Sequence, residues 1–211
     1  VGWLATVQAI TAGFGSTMTS IGLSIGFGVI LGQLVADTGA VQVIADTMLK
    51  VFGEKRADTA LGCTGFIVSI PVFFDVGFVI MMPLAKALAN VSKTKTLPTF
   101  IVALGAGLCV AHCFVPPTPG PLAAAELMGV PTGIMIGVGA VVGFPTFILT
   151  CLIYNKIILK IPGYWAPETC QRVVSAEEQA ALEAKREELM RDTSKLPSFG
   201  ASMVPIFLPI V

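Results

Sequence analysis

Two ionisable side chains lie within apolar stretches of the sequence, beside interruptions of the helical pattern. Asp75 lies in the apolar residues 57–90, and His112 precedes the proline-rich residues 116–121. A carboxylate or an imidazole is costly to bury in apolar surroundings, so each is a candidate functional group that could bind and release a proton. Two structural alternatives stay open. Asp75 could cap a helix that starts at Val76, and His112 could be a hydrogen-bonded core residue.

Uncharged polar groups surround the same interruptions. Neither residues 57–85 nor residues 96–155 contain a Lys or Arg, so an anionic ligand there would have to be bound by partial positive charges. A helix N-terminus supplies about half a positive charge together with unpaired N–H groups, and we expect two such ends, after Asp75 and after Pro121. The candidate substrate-binding residues are Ser69, Asp75, His112, Thr118 and Gly120, and the candidate proton-coupling residues are Asp75 and His112.

The interruptions also predict the elements that position these residues. Residues 57–90 contain Ser69-Ile70-Pro71 and then Asp75, so we predict two half-helices that turn back as a re-entrant hairpin. Residues 97–115 and 122–128 flank four prolines, which cannot lie in a helix interior, so together they form one broken helix. The alternative is that both interruptions are only structural kinks. The predicted helix breaks are Pro71, Pro116, Pro117, Pro119 and Pro121.

The other apolar stretches complete an all-α membrane protein. Residues 16–35 and 133–158 are each long enough to cross a hydrocarbon core of about 30 Å, and residues 37–56 have the spacing of an amphipathic helix in the interface plane. We therefore predict a membrane domain over residues 1–162, a polar loop with a charged helix over residues 163–199, and the start of another transmembrane helix over residues 200–211. Since the chain begins with Val1 and ends within an apolar run, we expect it to be part of a longer protein.

The distribution of charge predicts an orientation. Only 12% of the residues are Asp, Glu, Lys or Arg, about half of the roughly 25% in soluble domains, and twelve of them lie in residues 163–199. With a hairpin over residues 57–90, all thirteen Lys and Arg fall on one side of the bilayer. The positive-inside rule then makes the loop 163–199 cytoplasmic. A net charge of zero gives no basic footprint for nucleic acid.

Other classes of protein fit the sequence less well. Cys109, His112 and Cys113 are three soft ligands without a second pair, and no Ser-His or paired-carboxylate spacing is present. We therefore predict no metal, no cofactor and no enzyme activity. Glycines at positions 22, 26, 28 and 32 would let another helix approach closely. A membrane assembly subunit would explain these glycines, but it would not explain Asp75 or the proline-rich break.

Four stretches carry a resemblance to a known family. They are IGFGVILGQL at residues 25–34, GFIVSIPVFFDVGF at residues 65–78, HCFVPPTPGP at residues 112–121 and LPSFG at residues 196–200. In these stretches the chain resembles the gluconate permease family of proton-coupled symporters, within the larger ion-transporter superfamily. The resemblance implies uptake of sugar acids such as gluconate with protons in a bacterial inner membrane. It also implies inverted repeats with re-entrant hairpins in a homodimer, with this chain forming most of the first repeat.

One departure from the family pattern leaves the substrate open. Thr118 stands where the family often has a second histidine, and some relatives in the family carry D-serine. The alternative function is therefore a permease for D-serine or another small organic acid. The lack of Lys and Arg favours a hydroxylated monocarboxylate, because a second carboxylate would be poorly compensated in a low-dielectric site.

Overall fold

The computed structural model describes residues 2–92, 95–161, 163–165 and 196–207, and the regular structure in them is helical. Most of the polar loop predicted at residues 163–199, with its charged helix, lies outside the described residues. The helices are α1 (Trp3–Asp37), α2 (Ala40–Phe52), α3 (Ala57–Val68), α4 (Phe74–Val91), α5 (Leu97–Phe114), α6 (Pro119–Met128), α7 (Thr132–Lys156) and α8 (Phe199–Phe207).

Helices α3 and α4 form a helical hairpin that packs on α5. Helix α3 runs alongside α5 in the same direction, since Gly62 lies against Ala103 and the Ser69 hydroxyl donates a hydrogen bond to the Leu108 carbonyl at 2.8 Å. Helix α4 contacts Leu108 at Gly77 and then runs back, because only residues 92–96 join its end to the start of α5. Two helices joined by a turn are therefore present where the sequence predicts an interruption, and residues 69–73 form the tip of the hairpin.

The proline-rich break is shorter than predicted. Helix α6 begins at Pro119, so Pro119 and Pro121 lie in its first turn and are not part of the break. The prediction was wrong for these two prolines because the first N–H groups of a helix have no partner within it, so proline is tolerated there. Pro116 and Pro117 do lie in the break, at residues 115–118 between α5 and α6.

Two described segments are long and apolar enough to cross a membrane, namely Leu97–Met128, which joins α5 and α6, and Thr132–Lys160. A third candidate is the pair Ile25–Asp37 and Ala40–Phe52, bent by 66°. Helix α2 has the predicted amphipathic pattern, because Val41 and Ile44 are buried whereas Lys50 is exposed. These features identify an all-α membrane protein.

Helices α3 and α7 each approach α5 at backbone contact. A Cβ atom added to Gly107 of α5 would lie 2.0 Å from the Gly62 carbonyl oxygen of α3. One added to Gly139 of α7 would lie 2.0 Å from the Phe114 carbonyl oxygen of α5. Small residues allow this approach, and the close packing provides the dispersion contacts that hold helices together in lipid. The three helices therefore form the layer on which the rest of the fold packs.

We expect Gly139→Ala to lower the free energy of unfolding of the full-length protein by about 1–3 kcal/mol, because the added methyl group must displace the α5 backbone. Gly137 is a matched control on the same helix, with nothing within 4 Å of an added Cβ. Gly137→Ala should leave the stability unchanged or raise it by about 0.5–1 kcal/mol. Denaturant unfolding of the purified variants in detergent measures both. Equal losses for the two variants would contradict the role assigned to this contact.

Candidate functional site

A small, partly open pocket lies where the tip of the hairpin meets the break between α5 and α6. His112 and Thr118 supply polar side chains, and the described lining contains no Asp, Glu, Lys or Arg. The lining residues are Ile25, Ile70, Pro71, Val72, Phe73, His112, Pro117 and Thr118.

His112 presents an unused hydrogen-bonding atom at this pocket. It lies in the last turn of α5, and its ring centroid is 5.5 Å from that of Phe73 at the tip of the hairpin. Its Nδ1 atom is buried and has no hydrogen-bond partner among the described residues. Gln42 and Asn90 also carry such atoms, but neither lines the pocket. A buried polar atom without a partner costs about 1–3 kcal/mol, so a ligand that pairs with His112 would recover that free energy.

The two candidate hydroxyl groups occupy different places. Ser69 is fully buried, does not line the pocket, and donates its hydroxyl proton to α5. Thr118 does line the pocket, and its hydroxyl donates to the Val115 carbonyl at 2.7 Å. Since that proton is already engaged, the Thr118 oxygen can serve a ligand only as a hydrogen-bond acceptor. A direct role for Ser69 in binding stays a prediction, while its hydrogen bond fixes the tip of the hairpin to α5.

Two helix N-termini meet at the pocket. Phe73 is the N-cap of α4 and Thr118 is the N-cap of α6, both line the pocket, and neither makes a side-chain capping hydrogen bond. In the first turn of α6, Pro119 and Pro121 have no N–H group, so Gly120 provides the single donor among these three residues. Both helix ends add partial positive charge to a pocket that lacks a charged side chain.

Asp75 differs from the expectation in two respects. It is not the N-cap of α4, because Phe73 holds that position and Asp75 lies in the first turn. It is also exposed on the surface of this chain, whereas its apolar neighbours in the sequence predict a position inside the hairpin. The carboxylate is close enough to His112 to interact with it electrostatically. A carboxylate in the first turn of a helix is also stabilised by the helix dipole.

The buried acid of the hairpin is Asp58, which sequence reasoning missed. Asp58 lies in the first turn of α3 and forms an ion pair with Lys95, and Asn155 donates a hydrogen bond to its other oxygen at 3.4 Å. These partners are 37 and 97 residues away in the sequence, so no local motif connects them. The one sequence feature that could have indicated Asp58 is an acidic residue at the start of an apolar helix.

The described helices and the uncharged pocket between two helix breaks define a helical membrane protein. Residues 2–211 match the family described as GntP family permease, and the chain belongs to this family. The family expected from the four sequence stretches is therefore confirmed.

Curated relatives match along nearly the whole chain. An uncharacterized permease of Haemophilus influenzae is 42% identical over 98% of this chain and 41% of its own length. The Gnt-II system L-idonate transporter of Escherichia coli K12 is 32% identical over 98% of this chain and 43% of its length. The high-affinity gluconate transporter of the same strain is 34% identical over 97% of this chain and 43% of its own length. The chain thus spans less than half the length of these relatives. No solved structure matches it.

Contact with α1 sets the position of the hairpin tip. A Cβ atom added to Gly32 would lie 2.4 Å from the Pro71 carbonyl oxygen, whereas nothing lies within 4 Å of one added to Gly26. We expect Gly32→Ala to loosen the tip, so that amide hydrogen exchange of residues 69–73 becomes about tenfold faster, a factor equivalent to about 1.4 kcal/mol. Gly26→Ala should leave it unchanged. Exchange measured by mass spectrometry on the full-length protein tests both, and an unchanged rate in Gly32→Ala would refute the contact.

Proposed function

We propose that the full-length protein is a secondary active transporter, which takes up gluconate or a related sugar acid together with protons across the bacterial inner membrane. The observation that carries this proposal is the uncharged pocket, where the unpartnered Nδ1 of His112 meets the N-termini of α4 and α6. The names of relatives support the substrate class, because one is a gluconate transporter and another an L-idonate transporter. Both of these acids are hydroxylated monocarboxylates.

The proposal includes an arrangement in the membrane. Helices α3 and α4 form a re-entrant hairpin, α5 and α6 cross as one broken helix, and α7 crosses back. The ion pair between Asp58 and Lys95 supports the hairpin, since it joins residues that lie beside its two open ends. Residues 1–162 form the membrane domain, residues 163–199 a cytoplasmic loop, and residues 200–211 begin the next transmembrane helix. The remainder of the longer protein supplies an inverted second repeat, and two copies form a homodimer.

The pocket accounts for the selection of one carboxylate and several hydroxyl groups. We assign the carboxylate of the substrate to the N–H of Gly120 and to the unpaired N–H groups in the first turn of α4. The hydroxyl groups of the substrate pair with His112 and with the oxygen of Thr118. Partial charges suit a single carboxylate, because a second one would remain an uncompensated ion in a low-dielectric site.

Asp75 provides a physical reason for coupling to protons. It lies in the first turn of α4, whose N-terminus is assigned to the carboxylate of the substrate. An ionised Asp75 repels the carboxylate and offsets the positive end of the helix dipole, whereas a protonated Asp75 does neither. Proton binding and substrate binding therefore favour each other. His112 interacts electrostatically with Asp75 and is the second candidate to hold the proton.

Competition for uptake tests the substrate class. In cells that make the full-length protein, unlabelled gluconate should compete strongly with labelled gluconate, while succinate and butyrate compete weakly. Succinate carries a second charge, and butyrate leaves the polar groups of the pocket unpaired at about 1–3 kcal/mol each. Stronger competition by succinate than by gluconate would contradict the argument from charge. Competition by D-serine alone would favour the second candidate, an amino-acid permease, which the uncharged Thr118 in the pocket also allows.

We expect Asp75→Asn to leave the amount of protein in the membrane unchanged but to abolish accumulation of substrate against its gradient, because an amide cannot carry the proton. Glu126→Gln is the matched control, since Glu126 is exposed on α6 and does not line the pocket. It should accumulate substrate as the wild type does. Uptake driven by an imposed pH gradient in membrane vesicles provides the measurement. Accumulation by Asp75→Asn at the wild-type rate would exclude the coupling role.

A further inference from the structure

The open end of the hairpin carries a polar cluster that the proposed binding site does not use. The Asp58 side chain is only 5% exposed, while that of its ion-pair partner Lys95 is 24% exposed. Asn155 donates to the second carboxylate oxygen, Oδ2, at 3.4 Å. The backbone N–H of Lys95 in turn donates to the Ser92 hydroxyl at 3.0 Å. One carboxylate thus joins the start of α3, the connection between α4 and α5, and the end of α7.

Stability alone is a weak reason for such a cluster. Burying a charged pair requires its desolvation, and well-packed apolar side chains of the same volume are often as stable. The ion pair and the amide hydrogen bond depend on the position of α3, because Lys95 and Asn155 reach the two oxygens of Asp58 from other elements. The Thr59 hydroxyl also donates to Oδ1, at 3.5 Å, but Thr59 lies on α3 itself and so does not fix its position. The cluster therefore fixes the position of α3 along its axis relative to α5 and α7.

The position of α3 along its axis also affects the hairpin tip, which follows the other end of this helix. Ser69 lies eleven residues after Asp58, which a rise of about 1.5 Å per residue converts to about 16 Å. Helix α3 is packed on α5 at backbone contact, so a shift at its first turn is transmitted to the tip. Four residues of the tip, at positions 70–73, line the pocket.

We propose that Asp58, Lys95 and Asn155 form a polar clamp that positions the tip of the hairpin at the substrate pocket. Asp58 is the central positioning residue, and it acts on substrate binding through α3 without touching the substrate. This inference rests on the proposed transport function. The clamp itself can also be tested without any substrate.

The first test compares kinetic constants of uptake by the full-length protein, for the sugar acid that it takes up best. Asp58→Asn and Lys95→Met should raise KM about tenfold with the maximal rate per molecule little changed. Asn155→Ala removes one long hydrogen bond to the carboxylate, leaves the ion pair in place and should raise KM about threefold. Lys95→Arg keeps the charge and should remain near the wild type. Lys156→Met is the matched control, because Lys156 is exposed and directly follows Asn155.

A purely structural role would give a different result. It would lower the amount of protein in the membrane or its unfolding temperature and leave KM unchanged for the molecules that remain, and this outcome would overturn the proposal. If Asp58→Asn does not reach the membrane, Asn155→Ala decides, because it leaves the ion pair intact. An unchanged KM in Asn155→Ala would then refute the clamp.

The second test needs no substrate and so separates failure of the clamp from failure of the transport proposal. Cys63 lies five residues after Asp58 on α3 and is buried, whereas Cys109 on α5 is exposed. Alkylation of Cys63 by N-ethylmaleimide, followed by mass spectrometry, should be several-fold faster in Asp58→Asn than in the wild type. Cys109 should react equally in both. An equal rate at Cys63 would refute the clamp even if the protein transports gluconate.

Discussion

The arrangement proposed in the membrane depends on one constraint of the bilayer: backbone that is not helical must be enclosed by protein or lie beside water. This chain has two such interruptions, the hairpin tip at residues 69–73 and the break at residues 115–118. Glycines let α3 and α7 each approach α5 at backbone contact, and both interruptions line one pocket. The pocket lies between them. At each interruption the helix ends leave backbone N–H and C=O groups that would be paired in a continuous helix.

Electrostatics in the pocket follow from the same constraint. In the proposed membrane arrangement, a full charge at the pocket would be expensive, and the described lining carries none. The proposed binding therefore relies on helix ends, which bring partial charge without the desolvation cost of a free ion. The prolines at the start of α6 restrict the available donors. They remove two of the first three backbone N–H groups of the helix and leave that of Gly120.

The two ends of the hairpin differ in polarity. The tip is apolar apart from the backbone and Ser69, whose hydroxyl is bonded to α5. The open end holds the buried carboxylate of Asp58, paired with a lysine and an amide from two other elements. A directional ion pair can specify position more narrowly than apolar packing does. A helix that is firmly packed on its neighbour can carry that position to the pocket.

The sequence by itself determined the helical class, the hairpin, the broken helix and the family, because apolar length, proline and the four family stretches are local signals. It also identified His112 and Thr118, which the structure brings together with the tip at one pocket. Only the tertiary structure decided which acid is buried. Asp75 looked enclosed by apolar sequence yet is exposed in this chain, while Asp58 is buried by partners distant in sequence. Burial depends on which faces of packed helices meet, and hydropathy along the chain does not contain that information.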